Sequence, residues 1–221
     1  MNNSDPETKL RAAWRRPIEL SLLCVIGLVG LIILQSLTSV LDSAVLTSVV
    51  QWRGPFLTRL MQAITWLGSG QAEFPFVFAF VGFLVWRNRR RDALEYFGWC
   101  LGGWVCYALL KTIIHRARPH LVERLSGGGW YSFPSGHAML GPIIYVFAVM
   151  LILPSIERRS TRILLLGLSW LLVVLIAFSR VYLGVHYPTD VIGGLLAGFA
   201  WLGISLTAMR ARQERVSRQD A

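Results

Sequence analysis

Long blocks of apolar residues, separated by short polar segments, are the feature that most constrains this sequence. Of its residues, 54% are hydrophobic and only 15% are charged, which excludes a typical soluble domain. A helix that crosses a bilayer needs about 20 mostly apolar residues. The sequence therefore predicts one all-α domain, a bundle of six transmembrane helices. The six blocks cover about residues 18–40, 68–86, 93–114, 136–153, 163–178 and 190–208.

A shorter amphipathic segment lies between the first two blocks. Apolar residues recur there at helical spacing from Phe56 to Leu67, with polar residues between them. The pattern favours a short helix lying in the membrane interface. A helix packed against the bundle would show the same pattern, so both interpretations stay open. Residues 41–54, just before it, are polar and mixed, and we expect no span there.

The positions of the basic residues predict the orientation of the bundle. The N-terminal segment, the loops 86–92 and 155–162, and the C-terminal tail carry four, four, three and four Lys or Arg residues, 15 of the 22 in the chain. All four lie on one side of a six-span arrangement, and the positive-inside rule places that side in the cytoplasm. This placement explains the net charge of +10 without nucleic-acid binding. We expect a cytoplasmic segment at 1–16, a membrane domain at 17–208 and a basic cytoplasmic tail at 209–221.

Three polar segments on the opposite side carry the residue types of a phosphate site. They are residues 111–119 at the end of the third block, 134–137 at the start of the fourth, and 179–190 between the fifth and sixth. All four histidines of the chain lie in these segments or in the loop that joins the first two: His115, His120, His137 and His186.

The third segment pairs an imidazole with a carboxylate. His186 and Asp190 are four residues apart, the spacing that places two side chains on one helical face. A carboxylate beside an imidazole fixes its tautomer and raises its basicity. With His137 as a second histidine, one imidazole could attack a tetrahedral oxyanion while the other protonates the leaving group.

The first two segments supply groups that would bind an anion. Lys111, His115 and Arg118 are spaced so that one helical face could present all three, with Pro119 ending that helix. Ser135 is a candidate N-cap, and Gly136 allows close approach of the backbone. Free N–H groups at a helix start bind anions.

No metal or other cofactor is expected. The sequence has neither a cluster of acidic residues nor a Cys/His pattern typical of a metal site, so lysine and arginine would take the place of a metal. The three cysteines, Cys24, Cys100 and Cys106, lie inside apolar blocks and are predicted to be small buried hydrophobic residues.

The three segments resemble, in order and without departure, the signature motifs of the type 2 phosphatidic acid phosphatase superfamily. These motifs are Lys-x6-Arg-Pro, Pro-Ser-Gly-His and Ser-Arg-x5-His-x3-Asp. The resemblance implies that His186 is the nucleophile, that Asp190 orients it, and that His137 is the general acid and later the base. It also implies hydrolysis through a phosphohistidine without a metal.

The resemblance further implies a set of phosphate-binding groups, namely Lys111, Arg118, Arg180, Ser135 and the amide of Gly136. Ser179 and His115 are further candidates. For Ser179 the alternative is hydrogen bonding at the end of the fifth span, and for His115 it is exposure to solvent. Residues outside the motif positions, Arg116, His120 and Arg124, are expected to be solvated or to face lipid headgroups.

We therefore expect a multi-pass inner-membrane lipid phosphatase whose active site faces the periplasm or outside. Its substrate would be a phospholipid or polyprenyl lipid such as undecaprenyl diphosphate, phosphatidylglycerol phosphate or phosphatidic acid. One alternative is a lipid phosphotransferase, including one acting on lipid A phosphates. The other is a non-catalytic lipid-binding or transport protein, against which the complete set of His137, His186 and Asp190 argues.

Overall fold

The computed structural model describes the backbone of residues 6–219, and within that range the chain is helical with no β-strand. The predicted basic groups at Lys9, Arg11, Arg15 and Arg16, and at Arg215 and Arg218, have side chains outside the described residues. The helices are α1 (Pro6–Ile33), α2 (Gln35–Val50), α3 (Pro55–Leu67), α4 (Gly70–Trp86), α5 (Arg90–Ile114), α6 (Gly136–Gly141), α7 (Phe147–Ile152), α8 (Arg159–Tyr182) and α9 (Pro188–Gln219). A π-helical turn joins α6 to α7 at Pro142–Val146.

Four stretches of the described chain are long and apolar enough to cross a membrane. They are Arg90–Ile114, Gly136–Ser155, Arg159–Tyr182 and Pro188–Arg212. Two bent helix pairs add up to two more spans, α1 with α2 at 87° and α3 with α4 at 45°. The predicted number of six is thus reached only when each bent pair counts as one span.

The prediction for the first block is wrong in its boundaries. The helix breaks at Leu34, and α2 continues through the polar region to Val50 instead of ending near residue 40. The hydroxyl groups of this region are accommodated within the helix, because they donate to carbonyls three or four residues earlier, as Ser43 and Ser48 do. Its buried face, which includes Asp42 and Leu46, packs towards α8 and α9.

The amphipathic segment forms α3, which packs against α8, as the second of the two interpretations expected. Tyr182, the last residue of α8, contacts the start of α3 through its hydroxyl group. That oxygen lies 3.1 Å from Thr58 Oγ1 and accepts a hydrogen bond of 3.3 Å from Gly54 N.

Helices α6 and α9 approach each other closely at the centre of the bundle. A Cβ atom at Gly194 would lie 2.6 Å from the Ser135 carbonyl oxygen, and one at Gly198 would collide with the Met139 carbonyl. Small residues four apart permit such contact between membrane helices. Ser135 N also donates to Asp190 O at 3.0 Å. The second and third polar segments are therefore joined through the backbone.

The two ends of the bundle differ in chemistry. At one end Arg89 donates to Leu151 O at 2.9 Å, and Arg212 Nη1 lies 3.3 Å from Glu95 Oε1. Two of the basic segments identified in the sequence, the loop 86–92 and the C-terminal tail, therefore lie at this end. The loop at 115–135 and the turn at 183–187 lie at the opposite end.

The cysteines are free. Cys100 is fully buried, as predicted, whereas Cys24 and Cys106 are only partly buried.

Candidate active site

His186 lies in a tight turn between α8 and α9. Gly184 in this turn has φ of +76°, a conformation that favours glycine. A Cβ atom there would also lie 2.7 Å from both Arg53 Nη2 and Glu123 O. His186 precedes α9, whereas Asp190 lies in its first turn, so the pair does not share a helical face as predicted. The turn nevertheless brings His186 Nδ1 to 3.5 Å from Asp190 Oδ2.

The surroundings of His186 define its tautomer. Its Nε2 atom lies 3.1 Å from Arg118 Nη1, and because a guanidinium has no acceptor, Nε2 must carry the lone pair. The proton is then on Nδ1, which faces Asp190 and lies 3.4 Å from Ser132 Oγ. Burial lowers the pKa of His186 to about 4, although Asp190 acts in the opposite direction. The imidazole is therefore neutral at pH 7, and its Nε2 lone pair accepts from Arg118, a hydrogen bond that must give way before Nε2 can attack.

Arg118 is fixed beside this lone pair by the loop that precedes α6. It donates to the carbonyl oxygens of Gly129 at 2.9 Å, Trp130 at 3.1 Å and Val185 at 2.7 Å. These bonds fix the guanidinium plane next to Nε2. An anion that approaches this nitrogen must therefore also meet Arg118.

Two further cations of the predicted set are almost completely buried. Lys111 is 1% exposed, and its Nζ atom lies 3.5 Å from Pro134 O and 4.9 Å from the centre of the Tyr107 ring. Arg180 is 3% exposed and donates to Thr65 Oγ1 at 2.6 Å and to Gly127 O at 3.2 Å. Buried cations without carboxylate partners are costly unless an anion joins them.

Two buried polar atoms of the predicted phosphate-binding residues have no hydrogen-bond partner among the described residues. They are Ser135 Oγ and Arg180 Nε. Buried donors are rarely left unpaired in folded proteins, and bound ions are among the groups that pair with them. Phosphate oxygens would satisfy both. The predicted capping bond from Ser135 does not form, so its hydroxyl group remains free for such a ligand.

His137 lies in the first turn of α6, next to the joint between α3 and α4. A Cβ atom at Gly68 would lie 2.8 Å from His137 Cδ2, so this glycine leaves room for the ring. The backbone of Thr65 also contacts the imidazole. Thr65 thus touches both His137 and Arg180.

Two of the further candidates do not join the site. His115 ends α5 in the left-handed conformation, is exposed, and packs against Tyr131 with ring centres 4.4 Å apart. The predicted shared face of Lys111, His115 and Arg118 is wrong because α5 ends at Ile114. Ser179 is buried and donates to Ile176 O at 2.6 Å, which fits its alternative interpretation.

The prediction for Arg116 is also wrong. It is neither solvated nor directed at headgroups, because its side chain is 10% exposed and bonds to Asp42 and Asp190. Asp42, Ser132 and Thr65 were not identified from the sequence at all. Of these, Asp42 could have been identified from the sequence, since an isolated carboxylate beside an apolar block tends to have a function. Within the described part of the chain, no group of His, Cys, Asp or Glu could hold a metal ion.

Comparisons with known proteins agree with the similarity in motifs. A sequence profile of the PAP2 superfamily matches residues 92–214. Phosphatidylglycerophosphatase B of Bacillus subtilis is 31% identical over 160 residues, which make up 71% of this chain and 77% of that protein. The undecaprenyl-diphosphatase of Sulfolobus acidocaldarius is 44% identical over 76 residues, 33% of this chain and 30% of that protein.

The similarity extends to the fold. The crystal structure of a transmembrane PAP2 type phosphatidylglycerolphosphate phosphatase from Bacillus subtilis superimposes with a TM-score of 0.78 and 27% identity, covering 88% of this chain and 96% of that one. The family profile spans more than half of the sequence and contains all three polar segments. This chain therefore belongs to the PAP2 superfamily and has its all-helical transmembrane fold.

Proposed function

We propose that this protein is an integral membrane lipid phosphatase that removes a terminal phosphate through a phosphohistidine on His186. One observation supports this most directly. The unprotonated Nε2 of His186 faces Arg118 at 3.1 Å, while Nδ1 faces Asp190. A neutral imidazole with its reactive nitrogen beside a fixed guanidinium suits attack on the phosphorus of an anion.

Substrate binding begins with the buried cations. The terminal phosphate would accept hydrogen bonds from Lys111, Arg118 and Arg180, together with Ser135 Oγ and the N–H of Gly136. These groups stabilise the charge on the transferring oxygens, which is where most catalysis of phosphoryl transfer lies. No metal is needed in this scheme, because the three cations supply the compensating charge.

In the first chemical step His186 Nε2 forms a bond to phosphorus as the bond to the lipid oxygen breaks. His137 gives its proton to the departing oxygen, so the lipid leaves as an alcohol, or as a monophosphate when the substrate is a diphosphate. The Nδ1 proton stays on His186. Asp190 faces it and stabilises the positive charge of the phosphorylated ring.

The second step reverses these roles. Water attacks the phosphorus opposite Nε2, and His137 takes the proton that water loses. The P–N bond breaks, phosphate leaves, and His186 returns to its neutral form. An acceptor alcohol in place of water would give phosphotransfer.

The named relatives suggest an order among substrates. Phosphatidylglycerol phosphate ranks first, since the matched Bacillus phosphatidylglycerophosphatase is similar over most of both chains. Undecaprenyl diphosphate ranks second, supported by a higher identity over a shorter region. Phosphatidic acid belongs to the same chemical class.

For the topology we infer six spans, with each bent helix pair counted as one. The end of the bundle that holds Arg89 and Arg212 would face the cytoplasm together with both termini, following the positive-inside rule. The site would then open at the periplasmic or outer membrane–water interface. Residues 17–208 would form the membrane domain between the two basic terminal segments.

The test is phosphate release by the purified protein in detergent, with a chelator present. The substrates are phosphatidylglycerol phosphate, undecaprenyl diphosphate, phosphatidic acid and, as a water-soluble control, glycerol phosphate. We expect release from at least one lipid and little from the control. No release from any lipid would contradict the proposed function, and loss of release only with chelator would contradict the metal-independent scheme. Recovery of phosphate on an added alcohol would identify phosphotransfer.

A further inference from the structure

Arg116 forms an ion-pair bridge between two buried carboxylates from different parts of the chain. Its Nη1 lies 2.5 Å from Asp190 Oδ1, and its Nη2 lies 2.6 Å from Asp42 Oδ2. The two carboxylates are fully buried, with Asp42 1% exposed and Asp190 not exposed at all. The Tyr187 ring covers the guanidinium, with its centre 4.5 Å from Cζ. Arg116 therefore has both terminal nitrogens committed to carboxylates.

Asp42 also binds the start of α9, the helix that carries Asp190. Its Oδ1 accepts the Thr189 N–H at 2.9 Å, and its Oδ2 accepts the Thr189 hydroxyl at 2.5 Å. The first N–H groups of a helix have no partner inside the helix, and a carboxylate there also interacts favourably with the helix dipole. Asp42 in α2 is thus a cap supplied by another helix. It fixes the first turn of α9 and Arg116 together.

The two oxygens of Asp190 have separate partners. Oδ1 accepts from Arg116, whereas Oδ2 accepts from Ser132 and from Tyr187 N at 2.8 Å and faces His186 Nδ1. A carboxylate is planar, so fixing Oδ1 restricts the direction of Oδ2. Without Arg116 the Oδ1 atom would lose this partner, and the buried negative charges of Asp190 and Asp42 would lie near each other without the cation that now bridges them.

We propose that Arg116 and Asp42 are positioning residues that align Asp190 with the nucleophile His186, and that they take no part in phosphate binding. The inference rests on the proposed function of this site and extends it to α2, which lies outside the three motifs. Arg116 and Arg118 are only two residues apart, yet we assign them different functions. Arg116 acts on the chemical step through Asp190, whereas Arg118 meets the phosphate beside Nε2.

The experiment separates these functions by kinetics and by inhibition with inorganic phosphate, the reaction product. We expect Arg116→Gln to lower kcat by about 10- to 100-fold, as loss of a hydrogen bond between charged groups does. KM and the phosphate inhibition constant should stay within about twofold, because the phosphate site is intact. Arg118→Gln should lower kcat as well, but it should also raise KM and weaken inhibition by phosphate. Arg124→Gln is the matched control, because this exposed arginine of the same loop donates, among the described residues, only to the backbone carbonyl of Pro119. It should keep kcat and KM within about twofold of the wild type.

Two further variants keep the test decisive if Arg116→Gln folds poorly. Arg116→Lys should retain more kcat than Gln, since an ammonium can reach one carboxylate. Asp42→Asn is isosteric and should lower kcat, whereas the matched Asp92→Asn at the opposite end should not. The double variant Asp42→Asn with Arg116→Gln should be no slower than Arg116→Gln alone, because both changes break one chain of contacts. Thermal unfolding of each variant reports whether it is folded.

The outcomes that overturn the inference are distinct. An unchanged kcat in Arg116→Gln, or losses in the double variant that multiply, would refute the positioning chain. Weakened inhibition by inorganic phosphate with kcat retained would make Arg116 a phosphate ligand instead. In each of these cases the wild type still hydrolyses lipid phosphates, so the proposed function survives. A wild type without hydrolysis would overturn both.

Discussion

The region matched by the family profile, residues 92–214, and the region before it, residues 6–91, contribute different things to the site. The first carries the proposed reacting and phosphate-binding groups. The second contributes Asp42, Arg53 and Thr65, which bond to Arg116, to the end of α8 and to Arg180. Neither region alone forms the site.

The physical reason for this division is the burial of charge. Lys111, Arg180 and Asp190 are almost inaccessible, and buried charges are stable only when paired or hydrogen bonded. The motif residues must also keep some donors free for the phosphate. Partners that hold them without filling the site must therefore come from elsewhere, and α2 and α3 supply several.

The largest effect should come from the nucleophile itself. His186→Ala should lower phosphate release by about 10⁴-fold or more, as removal of a catalytic nucleophile does. His115→Ala is the matched control, since this exposed histidine lies at the same end of the bundle but outside the site. Activity in His186→Ala near that of His115→Ala would show that another group attacks the phosphorus.

His137 should have the next largest effect, with a dependence on the leaving group. His137→Gln should lower turnover of a lipid monophosphate by about 10²- to 10⁴-fold, the usual contribution of a general acid or base. A nitrophenyl phosphate monoester with an alkyl chain on its ring has a leaving group that needs no proton. With this substrate the variant should give a rapid burst of the nitrophenol followed by little turnover. An equal slowing of the burst would mean that His137 binds phosphate and does not transfer protons.

The sequence predicted most of the proposed reacting groups because each is tied to a short motif with fixed spacing. It could not predict Asp42, Arg116 or Thr65, because their roles depend on contacts between segments far apart in the chain. Arg116 reaches Asp42 across 74 positions, and Arg180 reaches Thr65 across 115. The helical blocks were likewise predicted from composition, whereas the 87° bend between α1 and α2, beyond which α2 packs on α8 and α9, was not predicted.

The pH profile tests how strongly burial acts on the nucleophile. An imidazole with the ordinary pKa of about 6.5 would be only about one-tenth neutral at pH 5.5. Because burial lowers the pKa of His186 to about 4, its Nε2 atom should remain unprotonated at pH 5.5. The rate of phosphohistidine formation, measured by rapid quench, should fall through protonation of His186 only as the pH approaches about 4. A tenfold loss between pH 7 and 5.5 with a midpoint near 6.5 would contradict this.

Thr65 tests the contribution of α3 to phosphate binding. Thr65→Val removes the oxygen that accepts from Arg180 Nη1 at 2.6 Å and leaves a similar volume. A lost hydrogen bond to a charged group is worth about 1.5–3 kcal/mol, so we expect KM to rise by about 10-fold. Thr112→Val is the matched control, because the Thr112 hydroxyl donates to its own helix and the residue is exposed. An unchanged KM would show that Arg180 does not need Thr65 to hold its position.

Arg53 should give the smallest effect on activity, because it donates to backbone carbonyls and not to a side chain of the proposed site. It donates to Tyr182 O at 3.1 Å, at the C-terminus of α8, and to Glu123 O at 2.9 Å. A cation at this helix end satisfies a terminal carbonyl and interacts favourably with the helix dipole. Arg53→Gln should lower the free energy of unfolding by about 1–2 kcal/mol, a drop in Tm of about 2–8 °C for a chain of this size.

The same variant separates support of the fold from support of the site. If the region before residue 92 acts on the site only through Asp42 and Thr65, Arg53→Gln should keep kcat and KM within about twofold of the wild type while losing Tm. Arg59→Gln, an exposed position in α3, should change neither. If Arg53→Gln lost kcat while it was still fully folded, the turn at Gly184 would couple the position of Arg53 to that of His186.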